Sequence, residues 1–384
     1  MKRILFILIS ILAFAANSAH GQEVMQDKQE IVRAQVVHII DSNTEMIPGT
    51  DTPHLIQNIE AKILTGLAEG KTVTIKNDLI RLEEGETFYA AHLVPWDGGT
   101  ETFIVSEPDR LPQLGMLAII FVILVVIFGG KQGARGIASL IGSLAFIVFA
   151  LIPGIIQGYS PILLSIVVSS VIIVLGSYIT HGFNKTTTSA VIGMVVTVLI
   201  VGIFAHFAIG YARLAGFGDE EATYLNFNFR GTLDLAGILL GGILIGLLGV
   251  MYDAAIGQAI SVEELHRIAP HVSRRTIYSR AIRIGREHIG ALVNTLAIAY
   301  VGASLPLLLL FYSASGESIG LILNRETFAT EIVRSLVGSI GLILAVPVTT
   351  VIAVFMLVKN PSPADDDKKI EEEMRVIEHA GHRH

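Results

Sequence analysis

Residues 233–256 read LDLAGILLGGILIGLLGVMYDAAI, an almost wholly apolar run with the carboxylate of Asp253 near its end. About 20 such residues cross a bilayer as a helix, because only a helix satisfies every backbone group within the segment. Six further runs resemble it, at residues 114–130, 136–157, 161–180, 188–210, 290–312 and 333–358. The sequence therefore predicts an all-α membrane domain over residues 113–359, a bundle of seven spans.

The composition agrees with a membrane protein. The chain is 52% hydrophobic and only 16% charged, and its mean hydropathy is +0.64, whereas soluble domains are about a quarter charged. It contains no cysteine, which excludes disulfides and thiolate metal sites. The net charge of −7 and the single basic segment, explained below by membrane topology, give no reason to expect a nucleic-acid partner.

The N-terminus has the features of a secretory signal. Lys2 and Arg3 precede the apolar stretch 4–16, and Ala19 and Gly21 place small residues where a signal peptidase reads. We expect cleavage after Gly21, which makes residues 1–21 a signal peptide; an uncleaved anchor is the alternative. Either outcome places the following segment outside the cytoplasm.

Residues 22–112 are polar enough to form a soluble domain. Alternating runs at 31–40, 54–64, 72–75, 87–94 and 102–106 are separated by turn residues such as Pro48-Gly49 and Gly98-Gly99. This pattern predicts a small extracytoplasmic β-barrel or sandwich of five or six strands.

The charges between the spans predict the orientation. With the β domain outside, the inner connections hold nine basic residues, which are Lys131, Arg135, Lys185, Arg267, Arg274, Arg275, Arg280, Arg283 and Arg286. The outer connections hold Arg213, Arg230 and Arg325, with Arg334 at a boundary. Because cytoplasmic loops are enriched in Lys and Arg, we expect a multi-pass membrane protein whose β domain lies outside the cytoplasm. The C-terminus, with its charged tail at 360–384, is then cytoplasmic.

The fifth span carries the densest pattern of small residues. At 100° per residue, one narrow stripe contains Gly242, Gly246, Gly249, Asp253 and Gly257. Small residues on one stripe allow a neighbouring helix to approach closely, so we expect the glycines to form a helix-packing face that shields Asp253 from lipid.

Two roles for Asp253 remain open. A carboxylate within a span is a candidate for proton or cation handling, and it is equally a candidate for a structural pair with an arginine of the next loop. Asn294 and Thr295 lie at a similar depth in the sixth span, and adjacent antiparallel spans would bring them close to Asp253. These three residues form the candidate intramembrane polar site. No catalytic motif and no metal or cofactor site is expected.

Three stretches carry a resemblance to a known family. GVMYDAAI at 249–256, NTLAIAYVGASLPLLL from Asn294 and RSLVGSIGLILAVP from Arg334 resemble the YibE/F family of bacterial membrane proteins. The stretch GQAISVEEL after Ile256 departs from the family's usual continuation. The resemblance implies a fold and a location in the bacterial inner membrane, but it brings no activity and no site residues.

The sequence thus favours a non-enzymatic permease or channel-like component for a small solute or ion. The alternative is a membrane scaffold or sensor whose extracytoplasmic domain docks a partner. The expected partners are the lipid bilayer, with anionic headgroups as candidates for the six arginines of residues 267–286. A second copy of the chain and an extracytoplasmic protein are further candidates.

Overall fold

The computed structural model describes residues 28–46, 49, 52–96, 99–313 and 316–359. The expected signal peptide (1–21) and the charged tail (360–384) lie outside the described residues. The chain divides between Leu124 and Val125 into two compact units. The first contains a β-sheet and the second a bundle of helices.

The β unit is one antiparallel sheet of five strands in the order β3-β2-β1-β4-β5. Its strands are β1 (Lys28–Met46), β2 (Pro53–Ile63), β3 (Thr72–Asn77), β4 (Thr87–Val94) and β5 (Thr102–Pro108). All five predicted strands are therefore confirmed. Alternate residues such as Val32, Ile59 and Phe88 point into a closed core and are fully buried. The edge strands β3 and β5 come into contact, and the Lys71 ammonium bonds the Glu101 carboxylate at 3.2 Å, so the sheet curls into a small barrel.

A buried carboxylate fixes the end of the last strand. Asp109 accepts a hydrogen bond from the Thr87 hydroxyl at 2.9 Å and pairs with the Arg33 guanidinium at 2.6 Å. Burial alone would raise the pKa of Asp109, but these bonds outweigh it and hold that pKa below its ordinary value. The carboxylate therefore remains charged at neutral pH and ties β1 and β4 to the segment that follows β5.

Eleven stretches of helix follow, as counted over the described residues. They are α1 (Leu111–Phe146), a π-helical turn (Ile147–Leu151), α2 (Ile152–Ile156), α3 (Pro161–His181), α4 (Lys185–Tyr211), α5 (Glu220–Asn228), α6 (Leu235–Ile268), α7 (Arg274–Ala303), α8 (Leu305–Ser313), α9 (Ile319–Asn324) and α10 (Glu326–Leu357). Five described helices are long and apolar enough to cross a membrane, counting residues 111–156 as one. The pair α7–α8, bent by 65°, makes six.

Gly130 interrupts the long first helix. Its backbone angles, φ 54° and ψ −138°, are not helical. A Cβ on Gly133 would collide with the carbonyl oxygen of Val125, eight residues earlier, although such residues lie about 12 Å apart along a straight helix. The chain therefore turns back sharply at Gly130, between the two apolar runs 114–130 and 136–157.

Helix α10 is the central element of the bundle and packs against α4, α6 and α7. Helix α3 covers α4 and α6 on another side. Large apolar residues on the outside of the bundle, such as Leu163, Ile203 and Phe207, remain exposed. Apolar surface of this extent is typical of helices that face lipid.

One sequence-based expectation about the later helices needs correction. The basic segment 267–286 is not a loop, because α7 begins at Arg274 and the connection from α6 is only residues 269–273. Ser273 caps α7 by accepting a hydrogen bond from the Thr276 amide, so the arginines from Arg274 onward extend the sixth span as helix, whereas Arg267 belongs to α6. Two prolines lie in the apolar runs of the last two spans: Pro306 lies at the bend between α7 and α8, whereas Pro347 lies inside a continuous α10.

Candidate functional site

The glycine stripe of α6 faces outward in this chain. Gly242, Gly246, Gly249 and Asp253 are exposed, and Gly257 is half-buried. A Cβ on Gly242, Gly249 or Gly257 would meet nothing within 4 Å, and one on Gly246 would meet only the Tyr300 hydroxyl oxygen, at 3.4 Å. In the part of this chain that the structure describes, no helix packs on these glycines and Asp253 is exposed, so the predicted packing face and the shielding of Asp253 are not found there. We call this set of five residues the glycine face of α6.

The opposite side of α6 explains this orientation. Leu240, Leu244, Leu247 and Met251 have essentially no exposed surface and fill the bundle core. Burying large aliphatic side chains gains more dispersion contact and removes more apolar surface from water than burying glycine. The side of α6 with the larger residues is accordingly the one inside the bundle.

The glycines that allow two helices of this chain to approach closely lie mostly on the neighbours of α6. A Cβ on Gly193 of α4 would lie 2.8 Å from the Cα of Thr349 in α10, and one on Gly341 of α10 would lie 2.5 Å from a Leu247 methyl group. Gly176 of α3 and Gly285 of α7 are enclosed in the same way, by Tyr252 and Gln258. Sequence reasoning missed these glycines because no regular stripe marks them.

A polar cluster lies beside the N-terminal half of the glycine face. The Arg334 guanidinium pairs with the Glu331 carboxylate of the same helix, α10, at 2.7 Å. Glu331 also accepts a hydrogen bond from the Ser304 hydroxyl at the end of α7, at 3.2 Å. Tyr300 of α7 places its hydroxyl between Gly246 of α6 and Gly338 of α10. Arg334 was expected only at a span boundary, and no pattern in the sequence marks Glu331.

A pocket of about 350 Å³ joins this cluster to the start of α6. Its lining includes Gly218, Asp219, Gly242, Thr330 and Arg334. Thr330 is 3% exposed, and its hydroxyl has no hydrogen-bond partner among the described residues. The pocket therefore combines an apolar wall with a paired cation and an unsatisfied hydroxyl.

One carboxylate holds in place the loop that borders this pocket. Glu326, in the first turn of α10, accepts hydrogen bonds from the backbone N–H groups of Ala215, Gly216 and Phe217 at 2.7–2.9 Å. Three donors converging on one carboxylate oxygen form a strong charge-assisted contact. It fixes the connection between α4 and α5 against the start of α10.

A second polar cluster surrounds Asp253, about 16 Å along α6 from Gly242. His181 is the last residue of α3, and its ring centroid is 6.5 Å from that of Tyr252, which precedes Asp253 in the chain. The Gln132 amide nitrogen lies 3.3 Å from His181 Nδ1. No ion pair joins Asp253 to an arginine in the part of the chain that the structure describes, so the proposed structural pair is not present there.

Asn294 and Thr295 are exposed on α7. The Thr295 hydroxyl donates to the Ala291 carbonyl of its own helix at 3.0 Å. Within the described residues, no hydrogen bond links either side chain to Asp253. The structure thus adds His181, not Asn294, to the surroundings of Asp253.

The six arginines have different environments. Arg267 pairs with Glu264 at 2.5 Å, and Arg274 bonds carbonyl groups at the end of α10. Arg275, Arg280, Arg283 and Arg286 are exposed on α7, and in the described ranges they form no ion pair. The described residues also contain no group of three or more His, Asp or Glu side chains that could hold a metal ion.

The sequence profile of the YibE/F-like proteins matches residues 117–359, from the first apolar helix to the end of α10. The chain belongs to the YibE/F-like family. The match and the long apolar helices together indicate a membrane protein. No curated protein and no solved structure matches the chain.

Proposed function

We propose that this YibE/F-like protein is a permease or channel-like component, and that the glycine face of α6 lines the path of a small solute or ion. One observation carries the proposal: polar groups from four helices, α3, α6, α7 and α10, lie along this single exposed face. Arg334 and Glu331 are beside its N-terminal half, Tyr300 touches Gly246, and Asp253 with His181 lies towards its other end. Ionisable residues within membrane spans commonly mark such pathways.

The proposed arrangement has seven spans, with the α1–α2 stretch divided at Gly130 into two. The β unit is extracytoplasmic and the C-terminus cytoplasmic, in the bacterial inner membrane. The excess of Lys and Arg on one side of the spans supports this orientation. Contact between lipid and an exposed carboxylate such as Asp253 is unfavourable within a bilayer. We therefore propose that a second copy of the chain packs against the glycine face.

The second candidate function is a scaffold or sensor without transport. It is favoured by exposed apolar side chains along β1, where Val37, Ile40 and Met46 are 51%, 54% and 63% exposed. Exposed apolar side chains on one strand suit a protein partner. In this case the glycine face would be a dry contact between membrane helices.

The two functions differ in whether water reaches the glycine face of α6. Because the chain has no cysteine, single cysteines at Gly246 and Gly249 can be tested in membranes with a membrane-impermeant maleimide. A thiol reacts as the thiolate and therefore needs water, so a solute path predicts labelling at least about tenfold faster than at Ile203→Cys, whose position is exposed on α4. Labelling as slow as at Ile203→Cys would refute the path and favour the scaffold.

A further inference from the structure

The end of α10 and the start of α7 lie side by side. Arg274 donates through Nε to the Val358 carbonyl at 2.9 Å and through Nη2 to the Phe355 carbonyl at 3.4 Å. Its guanidinium also lies 5.5 Å from the centre of the Phe355 ring. A cation at the carbonyl end of a helix satisfies unpaired acceptors and opposes the helix dipole. The chain after Val358 therefore starts next to the first turn of α7.

One side of α7 presents unpaired positive charge at this place. Taking Arg275 as 0°, the side chains of Arg286, Arg283 and Arg280 lie at 20°, 80° and 140° around the helix. All four are exposed, whereas Ile277, Ala281 and Gly285 on the other side are buried. Glu287 is the only acidic residue of α7. We call the four arginines the arginine face of α7.

Residues 360–384 supply the opposite charge. They contain Asp365–Asp367 and Glu371–Glu373, separated by Lys368, Lys369 and Ile370. Seven residues connect Val358 to Asp365 and can span at most about 24 Å. The arginine face extends only about 16 Å along α7, from Arg275 to Arg286. Both acidic runs can thus reach it from Val358.

We propose that the acidic tail, residues 360–384, binds the arginine face of α7 in the same chain. Single exposed ion pairs are weak, but attachment of the tail at Val358 gives an effective concentration in the millimolar range, so that several weak pairs suffice. A cavity of about 230 Å³ at the same junction, lined by residues that include Tyr278, Val351 and Phe355, has room for an apolar side chain of the tail. Anionic lipid headgroups are the competing occupant.

Disulfide cross-linking in the full-length protein tests this contact. Ser279→Cys lies at 40°, among the arginines, and Lys369→Cys lies between the two acidic runs. The control pairs Lys369→Cys with Phe183→Cys, an exposed position between α3 and α4. Phe183 is at the same end of the bundle as Val358, because Gly193 of α4 packs on Thr349 of α10. Both pairs are oxidised in nanodiscs of phosphatidylcholine and of phosphatidylglycerol.

We expect the variant with Ser279→Cys and Lys369→Cys to form its disulfide about tenfold faster than the control variant in both lipids. The reason is that several ion pairs, together with the short connection to Val358, hold the tail on α7. Replacing Asp365–Asp367 and Glu371–Glu373 by Asn and Gln should remove this difference. Equal rates for the two pairs, or no effect of the neutral tail, would overturn the proposal. Fast cross-linking in phosphatidylcholine that is lost in phosphatidylglycerol would also overturn it and assign the arginine face to lipid headgroups.

Discussion

Two glycines in long apolar helices differ in what surrounds them. Gly193 of α4 faces the backbone of Thr349, whereas Gly249 of α6 has nothing within 4 Å of its missing Cβ. We predict that Gly193→Ala destabilises the protein by about 1–3 kcal/mol, because helix α10 must move to admit the methyl group. Thermal unfolding of the purified protein in detergent measures this effect.

Gly249→Ala is the matched control. Alanine is a better helix former than glycine by about 1 kcal/mol, and at Gly249 it meets no neighbour. The control should therefore unfold at the same temperature as the wild type or slightly higher. A loss of stability at Gly249 equal to that at Gly193 would show that a further helix covers the glycine face even in the isolated protein.

The contrast between these residues shows what the sequence could not reveal. Both sides of α6 are apolar, since one faces the bundle core and the other faces the surroundings of the bundle. Hydrophobic periodicity distinguishes a polar side from an apolar side, so it cannot tell which of two apolar sides faces the core. The stripe Gly242–Gly257 was found correctly, but its direction depends on which neighbours α6 meets. The cluster of Glu331, Arg334 and Ser304 likewise requires knowledge of how α7 and α10 pack.

At the scale of the element, the connection 212–219 depends on a side chain of α10. Glu326→Ala removes the acceptor for three backbone N–H groups, and hydrogen bonds to a charged group contribute roughly 1.5–3 kcal/mol. We predict that trypsin then cleaves after Arg213, in this connection, at least about tenfold faster, because local opening becomes easier by that amount. Gel analysis of the digested full-length protein measures the rate.

Glu317→Ala provides the comparison. Glu317 makes an exposed pair with Arg325, at 2.7 Å, and such pairs contribute about 0–1 kcal/mol. Cleavage after Arg213 should remain near the wild-type rate in this variant. If both variants were cleaved equally fast, the three bonds to Glu326 would not be what holds the connection.

Whole elements were easier to predict than their contacts. Alternation and turn residues located all five strands, because side-chain period and turn chemistry are local properties. Length and hydropathy likewise located the apolar helices. The arginine density of residues 267–286 favoured a basic connection, although the segment from Ser273 onward also has the apolar spacing of an amphipathic helix, and a helix does begin at Arg274.

For the whole molecule, the proposed orientation predicts the result of reporter fusions. Alkaline phosphatase joined after Ser106 or after Arg230 should be active, because both positions would be exported, and a fusion after Pro270 should be inactive. Green fluorescent protein at the same positions should give the opposite pattern, which controls for expression. An inactive phosphatase and bright fluorescence at Arg230 would contradict the seven-span arrangement.

Helix α10 is fastened by side-chain bonds at both of its ends. Glu326 holds its first turn to the connection 215–217, and Arg274 of α7 holds its last carbonyl groups. A helix restrained at both ends resists sliding along its axis. It is therefore suited to remain in place while other helices of the bundle move. Helix α8 follows a 65° bend and has no buried residue, and α1 also buries none. If the protein alternates between two shapes, α1 and α8 are the helices that can swing while α10 serves as the fixed axis.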